Sequence, residues 1–323
     1  MTLVLTAINA ACVVQASDRL TTKWRRQRLL GEHDAIANKT IVYLAKDGPM
    51  VISFAGVAYV GSEPTDDWIA RQLAGREPQR LPDGRIMSVT FGRFPARTFN
   101  QACWLLQSAV AAERVFEGGL EIAIGGWRIR RHRLVQTALA IVKTGQATVR
   151  QGHMRLRTKA FGAAFLKIGA DFNLSEVKGL PADHPVWSTR PFDAAVLSAA
   201  ISDDLAETIV NKAKSNRAVG SDVMAVEIPR WEPDGIRKVT IRFKPQVERQ
   251  YTIQGSSVIG RFSAAFWPWI VTPMGVQAPS ISTGGGGGLR LCGWQIIFEA
   301  PGANNSPGLL SAHFSLQRPG PAR

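Results

Sequence analysis

Five histidines, His33, His132, His153, His184 and His313, are the residues a metal centre or a Ser–His relay would draw on, yet they are scattered and none is paired at the spacing either chemistry needs. Cys12, Cys103 and Cys292 are odd in number, far apart and without a CxxC or His-bearing ligand pattern. They read as ordinary buried thiols of a reducing, cytoplasmic compartment, and neither a metal nor a cofactor is expected. The glycine run Gly284 to Gly288 could cradle a phosphate only if Lys-Ser or Lys-Thr followed it and opened a helix; here the neighbours read as strand, and a flexible loop is expected. Ser62 and Ser17 lie in no motif. From Ile122 to Ala160 there are nine Lys or Arg and no acid. In GHMRLRTKA, strand alternation puts Arg155, Arg157 and Lys159 on one side, and Arg128 and Arg130 lie upstream in the same basic stretch. A face that contacts phosphate or another anion is one reading of these residues. A sheet edge blunted by positive charge is the other, and the favoured one.

The chain has 323 residues, 45% apolar and 20% charged, which suits a globular protein with a sizeable core. Its 39 Lys and Arg against 25 Asp and Glu leave +14, consistent with an anionic partner or a solvated basic face. No apolar run approaches the roughly 18 residues that a membrane helix needs, so no membrane span is expected. The opening MTLVLTAINAACVVQASDR has the length of a secretory signal but carries no Lys or Arg before Arg19, and Thr6, Asn9 and Gln15 interrupt its apolar part. Two short strands, TLVLTAI and CVVQAS, about a turn at Asn9 fit it better.

The elements that would position any chemistry follow from pattern and punctuation. KWRRQRLLGEHD reads as a charged loop; KTIVYLA and MVISFAGVAYVG read as strands about the turn Lys46-Asp47-Gly48-Pro49. SEPTDDWIARQLAG predicts a helix capped by Ser62 or Thr65 and stopped at Gly75, and TFNQACWLLQSAVAAERV one with Phe99, Cys103, Leu106 and Val110 on its apolar face. Strands follow at LEIAIGGWRI, RLVQTALAIV, ATVRQG, HMRLRTKAF and FLKIGADF. DAAVLSAAISDDLAETIVNKAKSNR then reads as helical, its later half starting from Ser202 as N-cap, before the strand SDVMAVEI. Beyond about Gly235 only strands and turns are expected, from KVTIRFKP to LLSAHFSLQ, with Trp267, Pro268 and Trp269 as packing or docking aromatics. The division is 1–234 as one domain and 235–323 as a β-rich C-terminal extension. The order of sheet and helix blocks points to an α+β fold, a four-layer αββα sandwich.

Several residues also carry a resemblance. Thr2 becomes the first residue if Met1 is trimmed; VVQASDR places Asp18 sixteen residues after Thr2; Lys39 opens the strand NKTIVYL; and FAGVAYVG holds Gly56 after the next strand. This order resembles the N-terminal nucleophile hydrolases and, within them, the proteasome β-subunit and its bacterial relatives, over about residues 2 to 230. FLKIGAD and NRAVGSDVMAVEI extend the likeness.

The resemblance implies a site. Thr2 would be the nucleophile, its own α-amine, with a reference pKa near ~8, the base. Lys39 would polarise the hydroxyl, Asp18 would hold Lys39, and the backbone N–H near Gly56 would face the oxyanion. Arg19 and Ser17 are supporting residues, and Asp171 stands as a substitute where active relatives carry serine and this chain has Ala170. Asn216 occupies the place of an expected aspartate. The expected activity is therefore hydrolysis of an amide, in the first instance peptide, bond through an acyl-enzyme, by a cytoplasmic homo-oligomer. A binding scaffold without the reaction is the alternative that Ala170 and Asn216 raise, and nucleic-acid contact by the basic face is the third.

Overall fold

The opening stretch folds as a hairpin buried on both sides. Strands β1 (Leu3–Ile8) and β2 (Cys12–Asp18) pair antiparallel with Val4 opposite Ser17, around a turn in which the Asn9 carboxamide oxygen accepts the N–H of Ala11 and of Cys12 at 2.8 Å. Because Leu3, Leu5 and Ala7 face one apolar cluster and Val4 and Ile8 another, the sequence shows no polar alternation. The structure is a computed structural model describing residues 2–25, 28–34, 37–76, 89–152, 164–173, 176–177, 179, 193–230, 237–244, 249–253, 256–260, 268–277, 287–291 and 294–299.

The charged segment expected as a loop is instead a two-stranded ribbon, β3 (Thr21–Arg25) and β4 (Arg28–Asp34), with register shifts. Thr21, Thr22 and Trp24 are strand formers, and the surrounding charges do not outweigh them. Strands β5 (Thr40–Ala45) and β6 (Gly48–Gly56) form the next hairpin, followed by the short pair β7 (Tyr59–Val60) and β8 (Glu63–Pro64). Helix α1 (Thr65–Ala74) has Pro64 as its N-cap, whose ring offers no acceptor, so neither Ser62 nor Thr65 caps it as expected, and the Thr65 hydroxyl donates to the Val57 carbonyl at 2.9 Å; the helix stops at Gly75, which turns left-handed at φ 72°. After β9 (Val89–Phe91), helix α2 (Phe99–Ala112) begins with a capping box between Thr98 and Gln101 and buries Phe99, Cys103, Leu106 and Val110.

Strands β10 (Leu120–Arg130), β11 (Arg133–Thr144), β12 (Ala147–Gly152) and β13 (Ala164–Gly169) come next. Helix α3 (Ala194–Ser215) runs unbroken from its N-cap Asp193, so Ser202, expected to start its later half, lies buried mid-helix. Strand β14 (Val223–Pro229) follows, then β15 (Arg237–Lys244), β16 (Arg249–Ile253), β17 (Ser256–Gly260), β18 (Trp269–Thr272), β19 (Gly275–Gln277), β20 (Gly287–Leu291) and β21 (Trp294–Glu299). Gly287 and Gly288, expected in a loop, belong to β20. HMRLRTKAF, LLSAHFSLQ, Trp267 and Cys292 lie outside the described residues.

Two large sheets result. One has the order β13-β1-β2-β14-β15-β21-β20, the other β12-β11-β10-β6-β5-β18-β19-β9. Strands from beyond residue 235 enter both: β15 pairs with β14 and β21, and β18 runs parallel to β5 with Trp269 opposite Ile41. One apolar cluster joins Val4, Val13 and Met224 of the first sheet to Val42, Val51 and Ala123 of the second. A second places Leu5, Val14 and Ala225 against Leu197, Ile201 and Leu205 of α3; a third places Ile52, Ile122 and Trp269 against Ile69 of α1 and Leu106 of α2. Among the described residues the fold is mixed α+β with three α-helices, and no helix is long and apolar enough to cross a membrane.

Candidate functional site

Three chain segments converge at one end of the hairpin: the residue before β1, the last residue of β2, and the residue before β5. They carry Thr2, Asp18 and Lys39, which are 5%, 0% and 2% exposed. The Lys39 Nζ donates to the Thr2 Oγ1 at 2.6 Å, lies 3.4 Å from the Asp18 Oδ2, and also donates to the Leu20 carbonyl. Three acceptors match the three N–H bonds of an ammonium. An ammonium donating to the threonine hydroxyl cannot also take its proton, so Lys39 supplies charge and any base must lie elsewhere.

The lysine is in turn held by a carboxylate that the backbone has immobilised. Asp18 Oδ1 accepts the N–H of Leu3 at 2.8 Å, and Oδ2 accepts the N–H of Gly220 at 2.9 Å and of Leu20 at 3.2 Å. Register explains the convergence, because Asp18 pairs with Val223 of β14 on one side while its strand pairs with β1 on the other. With both charges buried, removal of either leaves its partner uncompensated. Gly220 is fixed as glycine: a Cβ there would stand 2.6 Å from the Leu20 Cβ and 3.3 Å from the Asp18 Oδ2.

The main chain of Thr2 is pinned from β13. Its carbonyl accepts the Ala170 N–H at 2.7 Å, and a Cβ on Gly169, whose φ is +87°, would overlap that same carbonyl. Gly169 donates its N–H to Glu121 Oε2 of β10 at 2.6 Å, tying the two sheets together beside the threonine. Gly56 ends β6 in an exposed position at φ +107°, where a Cβ would strike the Gly119 carbonyl oxygen. The next amide, Val57 N–H, donates to that oxygen at 3.1 Å.

The expected supporting residues take different places. Ser17 lies in a buried row of hydroxyls that crosses between the sheets, 3.0 Å from Thr40 Oγ1, which is 2.9 Å from Ser53 Oγ. Arg19 is buried 3.7 Å from the Asp222 carboxylate, with its guanidinium 5.4 Å above the Phe243 ring. Asp171 is exposed, whereas Ala170 is buried. Asn216 ends α3, its carboxamide oxygen accepting the Ala218 N–H at 3.0 Å. Arg128 donates to the Asn100 Oδ1 at 2.8 Å, Arg130 is exposed at the end of β10, and Arg155, Arg157 and Lys159 lie outside the described residues. His132 sits in the β10–β11 turn at φ 62°; His153, His184 and His313 are outside the described residues. Burial pushes the Cys12 and Cys103 thiols up to about 12, which rules them out as nucleophiles at neutral pH.

Sequence reasoning missed three participants: the Leu20 carbonyl, the Gly220 amide and Glu121. Leu20 and Gly220 act through backbone atoms, which no side-chain pattern reports. Gly169 lies in the FLKIGAD stretch that the sequence singled out, and its contact with the Thr2 carbonyl is what the structure adds.

No family model matches the chain, and no curated protein does. Solved structures similar to it include Anbu from Hyphomicrobium sp. strain MC1, with 16% identity, TM-score 0.41, covering 73% of this chain and 85% of that one. Anbu (ancestral beta-subunit) from Yersinia bercovieri is similar at 14% identity, TM-score 0.40, covering 71% and 82%. The expected membership beside the proteasome β-subunits is corrected by these findings: the neighbours are Anbu proteins, a distinct family, and the likeness is a loose one of fold that says nothing of what this chain does.

Proposed function

We propose that the protein is an N-terminal-threonine hydrolase that cleaves an amide bond once Met1 has been removed. The observation that carries this is the buried ammonium of Lys39 donating at 2.6 Å to the hydroxyl of Thr2. In this reading the Thr2 Oγ1 attacks the amide carbon while its proton passes to the freed α-amine, and the Lys39 charge stabilises the oxygen as its proton leaves. The carbonyl oxygen becomes an oxyanion facing the amide of the Gly56 turn. The α-ammonium returns the proton to the departing amine, leaving an ester on Thr2 that water hydrolyses by the same proton relay. Asp18 keeps Lys39 charged and fixed, and Arg19 and Ser17 support the strand that carries Asp18.

The same reading orders the three apolar clusters as a four-layer αββα arrangement, α3 outside one sheet and α1 with α2 outside the other, and takes 1–234 as the domain that 235–323 extends by adding strands to both sheets. Self-assembly belongs to it too, since Trp104 and Ile129 stay 62% and 54% exposed, the sort of apolar surface that copies of a chain cover. A cytoplasmic location fits the two buried free thiols among the described residues, Cys12 and Cys103.

A second reading, a scaffold that binds without reacting, is favoured by Ala170, whose side chain offers no hydroxyl beside Thr2, and by Asn216, whose oxygen is already taken by Ala218. The two separate by mass spectrometry after p-nitrophenyl acetate, followed by assay on fluorogenic peptide amides. The hydrolase reading expects a free Thr2 amine, one acetyl on Thr2, and peptide cleavage that Thr2→Ala abolishes. Retention of Met1, or equal cleavage by Thr2→Ala, sinks it and leaves the scaffold.

A further inference from the structure

Lys39 sits in a short segment whose conformation its neighbours must hold. The residue before it, Asn38, is buried; its carboxamide oxygen accepts the N–H of Thr40 at 3.3 Å, and its Nδ2 donates to the Asp66 Oδ2 at 2.8 Å. Asp66 belongs to the first turn of α1 and is itself only 6% exposed. The Lys39 carbonyl accepts the Phe54 N–H from β6 at 3.3 Å, so the segment is gripped on one side by the sheet and on the other by one carboxylate.

We propose that Asp66 is a positioning residue: through the Asn38 carboxamide it fixes the turn that delivers the Lys39 ammonium to the Thr2 hydroxyl. The inference rests on the hydrolase reading for its catalytic meaning, though the turn itself can be measured without any reaction. A solvated side chain would have served if α1 needed only an acid near its N-terminus. A buried one bonded to a carboxamide that brackets Lys39 is a different arrangement.

The carboxyl of Asp66 is raised from 3.8 to about 7, first by burial and then by the Asp67 charge on the same turn, with the Asn38 bond acting the other way. Other titratable groups on the elements around it are spoken for. Tyr43 on β5 and Cys103 on α2 have their values raised from ordinary ones that already lie above neutrality; Glu63 on β8 pairs with Arg71 at 2.6 Å; and Lys39 has its N–H bonds on Thr2, Asp18 and Leu20. From β18 the facing groups are Trp269, whose indole N–H goes to Asp67 at 2.9 Å, and Val271. Protonation near neutrality thus replaces a carboxylate, the stronger acceptor, by a neutral carboxyl whose remaining carbonyl oxygen holds the Asn38 N–H less tightly, and the Asn38 turn loosens as pH falls.

The experiment compares wild type, Asp66→Asn and Asp66→Ala in the full chain. Hydrogen exchange of the Thr40 amide, corrected for intrinsic rate, is followed from about pH 8.5 to about pH 5.5. In wild type its protection falls about fivefold, the worth of one hydrogen bond, while Asp66→Asn, which keeps an acceptor oxygen and cannot titrate, stays flat. A flat wild-type profile, or an equal fall in Asp66→Asn, overturns the proposal. In parallel, acetylation of Thr2 by p-nitrophenyl acetate loses rate in wild type below about pH 7 more steeply than in Asp66→Asn, and Asp66→Ala lowers the maximal rate about tenfold with half-saturation unchanged. Coincident acetylation profiles for wild type and Asp66→Asn also overturn it. If wild-type Thr2 never acetylates, the hydrolase reading fails while the Thr40 exchange still decides whether Asp66 holds the turn.

Discussion

Replacing Asp18 by Asn tests whether a buried ion pair underlies the site. The carboxylate is fully buried and accepts three backbone N–H bonds besides lying 3.4 Å from the Lys39 ammonium. The asparagine keeps the volume but removes the counter-charge, and a buried charge left alone costs about 3–5 kcal/mol. It also turns an NH2 toward donors that need an acceptor, about 1–3 kcal/mol for each N–H left unsatisfied, so a loss of at least about 4 kcal/mol is expected. Lys39→Met leaves Asp18 with its three amides and loses less, about 3 kcal/mol. In the double variant neither stranded charge exists, and the combined loss falls short of the sum by about 2 kcal/mol. Urea unfolding followed by circular dichroism on all four proteins measures each quantity. If Asp18→Asn loses under about 1 kcal/mol, or the two changes simply add, the pair is not the buried, mutually dependent unit described above.

Two further outcomes follow from the geometry. Gly169→Ala forces a side chain at φ +87° into the Thr2 carbonyl, so a loss of about 3 kcal/mol or more is expected in urea unfolding, together with loss of Thr2 acetylation; a near-neutral result would mean that β13 does not pin Thr2. Asp66 has a folded-state value raised above its unfolded one, so the stability it contributes is full below about pH 4 and is lost as pH rises through about 7. Asp66→Asn is therefore expected to melt higher than wild type above about pH 7, with the gap narrowing as pH falls toward about 4; a gap that is constant with pH would contradict the raised value.

Much of the local structure was legible. The face of α2 follows from the spacing of Phe99, Cys103, Leu106 and Val110, and the stop of α1 from Gly75, because both depend on neighbours three or four residues away. The Asn9 turn likewise follows from a side chain bonding its own backbone. What escaped depends on distant partners. The ribbon of Thr21 to Asp34 hid behind its charges, Ser202 looked like a cap because α3 is continuous past it, and Gly287 was read as loop because nothing local announces the β21 strand beside it. At the site, the types and order of Thr2, Asp18 and Lys39 were readable. The groups that hold Asp18 were not, since the amides of Leu3, Leu20 and Gly220 could have belonged to any residues. Asn38 and Asp66, 28 residues apart, are too common as types to signal a bond between them.

The bond from Gly220 to Asp18 spans 202 positions. Translation at roughly 5–20 residues per second therefore delivers Lys39 to the growing polypeptide some ~10–40 s before the amide that steadies its counterion has been made. During that interval the amino-terminal hairpin lacks its β14 neighbour, and the interior strands β15 and β18, which complete the two sheets, are made later still. On a ribosome-bound chain Thr2 therefore stands without the amide that steadies Asp18 until 220 of the 323 residues have been made, and in the hydrolase reading proposed above this delays the nucleophile's maturation and keeps it from acting early on nascent chains.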